Sequence, residues 1–268
     1  MPVSISNARR KPRLGAKLDK QHPLSRGLVS WWMFNEGGGV KVWDIASKFH
    51  GTLTNMDPST DWVAGPQGIA LELDGSNDHI VTGKVTTDLI TAAAGTVIAT
   101  VRPLGSVAGG SVYDGNVIVA DDSGYWGLYR TNDSVDRIWS YNYDGSVDQV
   151  GVAYTVGEWV TVAWVHAGGN LLIYKNGKPA GTVASGNTTE MGSSVRIGDG
   201  YGAAWNGGIS DIRIYNRGLD AGEIEEAYDK PYCNILAPQY RRYFIAAAGG
   251  GGGGGHPYYY GLSQGLHV

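Results

Sequence analysis

Residues 208–230 read GISDIRIYNRGLDAGEIEEAYDK, and two periodicities meet in them. In the first nine positions Ile212 and Ile214 fall on one side of an extended chain, while Asp211, Arg213 and Tyr215 fall on the other, because successive side chains of a strand point to opposite faces. The alternation predicts a strand with one apolar and one polar face. At Leu219 the pattern changes. Asp220 followed by Glu223 makes a capping box, each side chain satisfying an amide left unpaired at a helix start, and Pro231 ends the helical run. A short helix is therefore predicted at about 220–229, directly after a strand.

The same strand-and-turn punctuation extends back to Gly27. GLVSWWMF, TVIATV, WVTVAWVHA and NLLIYKNG are short apolar or alternating runs bounded by Gly, Asn and Asp, the signature of strands. Asn176-Gly177 between two such runs predicts a type I′ hairpin turn, whose central positions need positive φ. A second helical stretch is expected in TDLITAAAG, near Thr87 to Gly95. With so few helices and no strand-helix repetition, a parallel α/β fold is not expected, and two packed antiparallel sheets are the natural solution. The class is all-β: a two-sheet antiparallel β-sandwich with one short C-terminal helix and extended N- and C-terminal tails.

Composition agrees. Of 42 glycines only seven form one block, Gly249 to Gly255; the rest are dispersed, as many turns require. Hydrophobic content of 42% with nine Trp excludes a disordered chain, and 268 residues suit one sandwich with tails. The expected divisions are a basic extended arm (1–26), the sandwich (27–232) and a Gly/Tyr-rich tail (233–268). A net charge of −4 gives no global field for nucleic acid. The single Cys233 makes no internal disulfide and no thiolate zinc cluster by itself. Cations near the N-terminus lack the apolar run of a signal peptide, and no stretch reaches the roughly 18 apolar residues of a membrane span. Membrane insertion is not expected.

Four segments in order resemble the laminin-G-like, concanavalin A-like jelly-roll family: GLVSWWMFNEGGGVKVWDIASKFHGTLTN (27–55), ALELDGSNDHIV (70–81), EWVTVAWVHAGGNLLIYKNGKPAG (158–181) and VRIGDGYGAAWNGGISDIRIYNRGLDAGEIEEAYDKPY (195–232). The resemblance covers about 28–232 and implies two curved antiparallel sheets, with Trp31, Trp32, Trp159 and Trp164 in the core. HPLSRGLV before the domain, and the Gly-rich ending after it, are similar to arms and tails of tailed-phage proteins.

The family includes lectins and glucanases, so the residues must distinguish catalysis from binding. Retaining glycoside hydrolysis needs two carboxylates about 5–5.5 Å apart, which the glucanase branch supplies from one strand of alternating acids. No strand-like run here reads Glu-x-Asp-x-x-Glu or Glu-x-x-x-Glu, and no Gly-x-Ser-x-Gly elbow is present. The chain is read as no enzyme, with a glycoside hydrolase as the distant alternative. His79 and His166, on strand-like runs, read as structural. No cofactor is expected beyond a structural calcium, for which DGSND offers Asp74, Asn77 and Asp78; the same residues also make a self-bonded turn. The resemblance adds Asp44 and Asp211 as further ligands.

Trp and Tyr supply 25 of the 28 aromatics, and both join an apolar face to a polar edge. Tyr125, Trp126, Tyr129, Trp139, Tyr141 and Tyr143 lie on consecutive strand-like runs. Tyr125 and Tyr129 share one side with Trp126 opposite, and Trp139, Tyr141 and Tyr143 share one side. This row suits stacking of sugar rings, or packing between sheets; both stay open. In the arm, seven Lys or Arg, among them Arg9, Arg10, Lys11 and Arg13, face one acid, Asp19. Beyond the poly-Gly run stand Tyr258, Tyr259 and Tyr260. These are expected to touch copies of the chain or other subunits. The resulting expectation is a structural or adhesion subunit of an extracellular or virion surface assembly, with a freestanding carbohydrate-binding module as the alternative and glycans as partners.

Overall fold

A computed structural model describes residues 9–47, 49–105, 116–132, 135–188, 192–200 and 204–236. The expected contacts of Tyr258, Tyr259 and Tyr260 lie outside the described residues. In chain order the strands are β1 (Lys17–Leu18), β2 (Leu28–Trp32), β3 (Lys41–Val42), β4 (Gly51–Thr54), β5 (Trp62–Gly65) and β6 (Gly68–Asp74). They continue as β7 (His79–Val85), β8 (Gly95–Pro103), β9 (Asn116–Asp121), β10 (Trp126–Asn132), β11 (Asp136–Tyr143) and β12 (Val147–Ala153). The last are β13 (Val160–Ala167), β14 (Asn170–Lys175), β15 (Lys178–Ala184), β16 (Ser194–Ile197), β17 (Asn206–Tyr215) and β18 (Ile235–Leu236). Among the described residues the α-helices are α1 (Thr86–Leu89) and α2 (Ala221–Asp229), with one 3-10 turn at Pro23–Ser25.

Among the described residues the strands form two eight-stranded sheets and one small pair. The first sheet runs β12-β11-β10-β9-β16-β7-β4-β3, and the second β15-β14-β13-β8-β17-β6-β5 with β2 also on β17. Pairing is antiparallel in both. β17 is central because it pairs β8 along one side and both β6 and β2 along the other. Its Ile209, Ile212 and Ile214, with Val97 and Val101 of β8, meet Ile118, Trp126, Leu128, Ile138 and Ile197 of the first sheet in one core. Each such buried aliphatic side chain is worth roughly 1.5–3 kcal/mol relative to exposure.

The apolar face of β17 lies as the alternation predicts, and its polar face is sealed rather than wet. Asp211, Arg213 and Tyr215 are all buried, beneath Trp31 and Tyr232 on one side and Leu24, Ile224 and Ala227 on the other. Trp31 therefore belongs to this outer layer, not to the inter-sheet core that holds Trp32 and Trp164. Trp159 is only half-buried, its ring 5.2 Å from the Arg102 guanidinium.

α2 begins at the capping box: Glu223 N–H donates to Asp220 Oδ1 (2.9 Å) and Asp220 N–H to Glu223 Oε2 (3.1 Å). The earlier helix shrinks to the single turn of α1, because Thr91 and Ala94 close a tight turn through their backbones and Gly95 already opens β8. Asn176 and Gly177 take φ of 50° and 80° in the β14–β15 hairpin, as that turn demands. The basic arm is not extended away from the body over residues 11–25. Lys11 N–H donates to Gln67 O (3.0 Å), β1 pairs with β18, and Leu24 is buried in the outer layer.

Candidate functional site

The β10–β11 register, with Tyr129 opposite Trp139 and Gly127 opposite Tyr141, puts Tyr125, Tyr129, Trp139, Tyr141 and Tyr143 on one face. That face is the side of the first sheet turned away from the core, since Leu128 and Ile138 point inward. Tyr125 packs edge-on against Tyr143 (5.5 Å, 72°), and Tyr129 against Tyr141 (5.6 Å, 74°). Trp139 lies across Gly151, where a Cβ would come within 2.6 Å of its ring, and its Nε1 donates to Thr131 Oγ1 (2.8 Å). Tyr129 and Tyr141 are buried; Tyr125, Trp139 and Tyr143 are half-buried and keep an open edge. Trp126 leaves the row altogether. It is a core residue, bonded through Nε1 to Thr86 Oγ1 (3.0 Å).

On the same face, next to this row, an ion cluster forms that no local motif announced. Arg196 of β16 reaches Asp122 (3.0 Å) and Asp199 (3.4 Å), and Asp199 lies 3.8 Å from His79. One guanidinium is thus shared by both carboxylates. Burial still pushes the Asp122 carboxyl above its usual range. Neighbouring Asp121 is a turn anchor: its Oδ1 accepts Tyr125 N–H (2.8 Å) and Trp126 N–H (3.0 Å), while burial pushes its carboxyl up to about 6. His166 is buried against Trp164, and burial lowers its pKa.

The calcium set does not assemble. Asp44 Oδ1 accepts the Trp31, Ala46 and Ser47 amides and its Oδ2 the Ser47 hydroxyl. Asp211 is committed to Trp31 Nε1 (2.8 Å) and Arg213 Nε (2.8 Å). Asp74 accepts Ser76 N–H and Asp78 accepts Asp74 N–H, a self-bonded turn, with Asn77 O accepting from Asn55. Among the described residues these acids form no shared ligand group. Calcium prefers six to eight converging oxygens, and one carboxylate oxygen each of Asp74 and Asp78 accepts a backbone amide of the turn.

The arm residues separate. Lys11 Nζ is turned inward onto the carbonyls of Phe34 (3.3 Å), Ile69 and Ser210 (2.6 Å), and desolvation pushes its pKa down to about 8. Its ammonium is engaged within the chain. Arg9 sits 3.5 Å from Asp229 in an exposed pair, and Arg10 and Arg13 are exposed.

Arg13 instead borders a cavity of about 330 Å³ with Leu14, Met33, Asn35, Trp43 and His50. Strand alternation builds it. Val42 is fully buried, so Trp43 beside it points out and is 51% exposed. The His50 ring packs edge-on to Trp43 at 4.3 Å, and its Nδ1 accepts Asp44 N–H (3.2 Å), which leaves the proton of a neutral ring on Nε2 as a donor. Glu36 Oε1 accepts Trp43 N–H (2.7 Å) and fixes the strand, its carboxyl raised by burial. Asn35 donates to Pro12 O (2.7 Å). An open indole face edged by a guanidinium, an amide and an imidazole is suited to a ring with apolar faces and hydroxyl rims. VWD at 42–44 carried the hint, but the cavity's other wall comes from residues 13–16.

The sequence profile of the Laminin_G_3 family, described as the Concanavalin A-like lectin/glucanases superfamily, matches residues 74–225. No curated protein matches the sequence. Among solved structures, domain 4 of an extracellular arabinanase from Geobacillus stearothermophilus, in complex with arabinotriose, is 18% identical with a TM-score of 0.57 over 80% of this chain and 98% of that one. The binding domain of Paraclostridial Mosquitocidal Protein 1 is 13% identical (TM-score 0.59, 78% of this chain, 53% of that one). Trypanosoma rangeli sialidase in complex with sialic acid is 15% identical (TM-score 0.53), with 75% of this chain covered and 32% of the sialidase. At these identities the likeness is one of fold, and this chain spans about half of the second protein and a third of the third.

Proposed function

The chain belongs to the concanavalin A-like lectin/glucanases superfamily, and from that premise we propose that it is a non-catalytic glycan-binding module serving adhesion within an extracellular or virion surface assembly. The observation that carries this reading is the half-exposed Trp43 on the rim of a cavity of about 330 Å³. Small-molecule sites are typically concavities of about 300–1,000 Å³ with a mainly apolar lining and a few placed polar groups; Arg13, Asn35 and His50 are those groups here. The half-open row of Tyr125, Trp139 and Tyr143 beside Arg196 is a second surface of the same chemistry. Neighbours in fold whose solved forms hold arabinotriose or sialic acid lend support. The non-catalytic part of the reading is supported by four acids held in ion pairs: Asp122 and Asp199 share Arg196, Asp211 holds Arg213, and Glu72 holds Arg102.

The assembly role rests on the β3–β4 region, where Val40, Trp43 and Phe49 are each about half exposed, as suits a surface that meets a neighbour. An immobilised glycan panel probed with the full chain tests the proposal. Binding lost in Trp43→Ala, with the melting temperature unchanged because the ring is half in water, is the expected result. Binding lost in Trp139→Ala but kept in Trp43→Ala would move the site to the other face. Binding to no glycan, with higher oligomers in native mass spectra that Trp43→Ala disperses, would favour assembly alone.

A further inference from the structure

Cys233 is the chain's single cysteine, and the fold brings two other ligand types to it. The ligand atoms of His22, Glu226 and Cys233 all lie within 4.8 Å of one another, each residue half-buried. From this geometry we infer that His22, Glu226 and Cys233 form a binding site for a divalent cation of the zinc class.

The donor set selects the metal. One imidazole nitrogen, one carboxylate oxygen and one thiolate sulfur suit a borderline-soft ion, whereas calcium and magnesium want oxygen alone. Zinc bonds of about 2.0–2.3 Å place tetrahedral neighbours roughly 3.4–3.7 Å apart, so about 1 Å of closure, within side-chain rotation, brings the three into contact with one ion. A fourth position remains for water.

The three ligands come from segments already held together. Cys233 N–H donates to Lys230 O (3.0 Å) at the end of α2, Asp19 N–H donates to Asn234 O (2.8 Å), and the Asn234 side chain donates to Ser25 Oγ (3.3 Å). Glu226 projects from α2 itself, between the buried Ile224 and Ala227. Little backbone ordering is left to perform on binding. Two local costs oppose it. His22 Nδ1 accepts Leu24 N–H at 3.2 Å, a bond the ring surrenders when it ligates, and Lys230 lies 3.9 Å from Glu226. Both contacts are long, and neither matches a metal–ligand bond.

Ligation by the thiolate replaces its proton with the ion. The ion would clamp the segment before β2, helix α2 and the turn before β18 at one point.

The test uses the full chain, stripped with a chelator and reloaded with zinc or cobalt(II). Zinc at a hundredfold excess over its dissociation constant is expected to raise the melting temperature by roughly 5–10 °C. Cobalt(II) is expected to give a thiolate-to-metal charge-transfer band, which only Cys233 can supply. Cys233→Ser should abolish the band and His22→Ala should weaken cobalt affinity at least tenfold. No band with the unaltered chain, or no change in melting with zinc, would overturn the site. So would a zinc-induced shift that persists in Cys233→Ser. If the variants fail to fold, the cobalt spectrum of the unaltered chain still decides.

Discussion

Asp121 holds the β9–β10 hairpin by accepting three backbone amides while being fully buried. Burial outweighs those bonds, and its carboxyl rises to about 6, against about 3.9 in an unfolded chain. The folded state therefore holds this proton more tightly than the unfolded one. Its contribution to stability is full below about pH 4 and is lost as pH rises through about 6. Asp121→Asn, which cannot ionise, is expected to remove that share of the slope, on the order of 2–3 kcal/mol. Denaturant unfolding of both proteins between pH 4 and pH 7 measures it, and parallel curves would contradict the assignment. The turn was legible in DDSG at 121–124; that its first carboxylate is walled off from water was not, because the wall is built by distant residues.

Strand β17 was the most legible element, and its alternation located the core face correctly. Its other face looked like an ordinary polar surface. In the folded chain Arg213 instead sits 4.4 Å from the Trp31 ring and 5.9 Å from that of Tyr232, bonded to Asp211 and to Ala227 O. The two aromatic rings are themselves stacked at 6.0 Å and 3°. A pair this buried gains little net stability from its own attraction, yet losing one member strands the other's charge. Arg213→Met is expected to cost about 3–5 kcal/mol in equilibrium unfolding, and Asp211→Asn/Arg213→Met together less than the sum of the two single changes. Additive losses would mean the pair is not coupled. The aromatic row on β10 and β11 illustrates the same limit. Period two divided each strand's residues between faces, but only the register between the strands set Tyr129 beside Trp139 and sent Trp126 inward.

At the scale of the molecule, the basic N-terminal stretch is a structural part of the domain from Lys11 onward. Deleting residues 1–26 removes the Lys11 carbonyl bonds, the β1–β18 pair and the buried Leu24. That deletion is expected to lower the melting temperature severely or prevent folding. Deleting 238–268 serves as the comparison, since none of these contacts among the described residues is removed by it. Thermal unfolding of both truncated chains compares them, and a stable protein lacking 1–26 would show that the arm is dispensable. Among the described residues no helix is long and apolar enough to cross a membrane.

The all-β class, the hairpin at Asn176-Gly177, the helix cap at Asp220 and the inward faces of the strands were written in the sequence, because each depends on neighbours within about four residues. Tertiary structure alone decided which polar faces are sealed, which aromatics reach solvent, how Arg13 comes to stand beside Trp43, and how Cys233 meets His22. Those relations join residues as much as 211 positions apart in sequence. They depend on sheet order, strand register and the docking of the chain ends, none of which leaves a local period for the sequence to display.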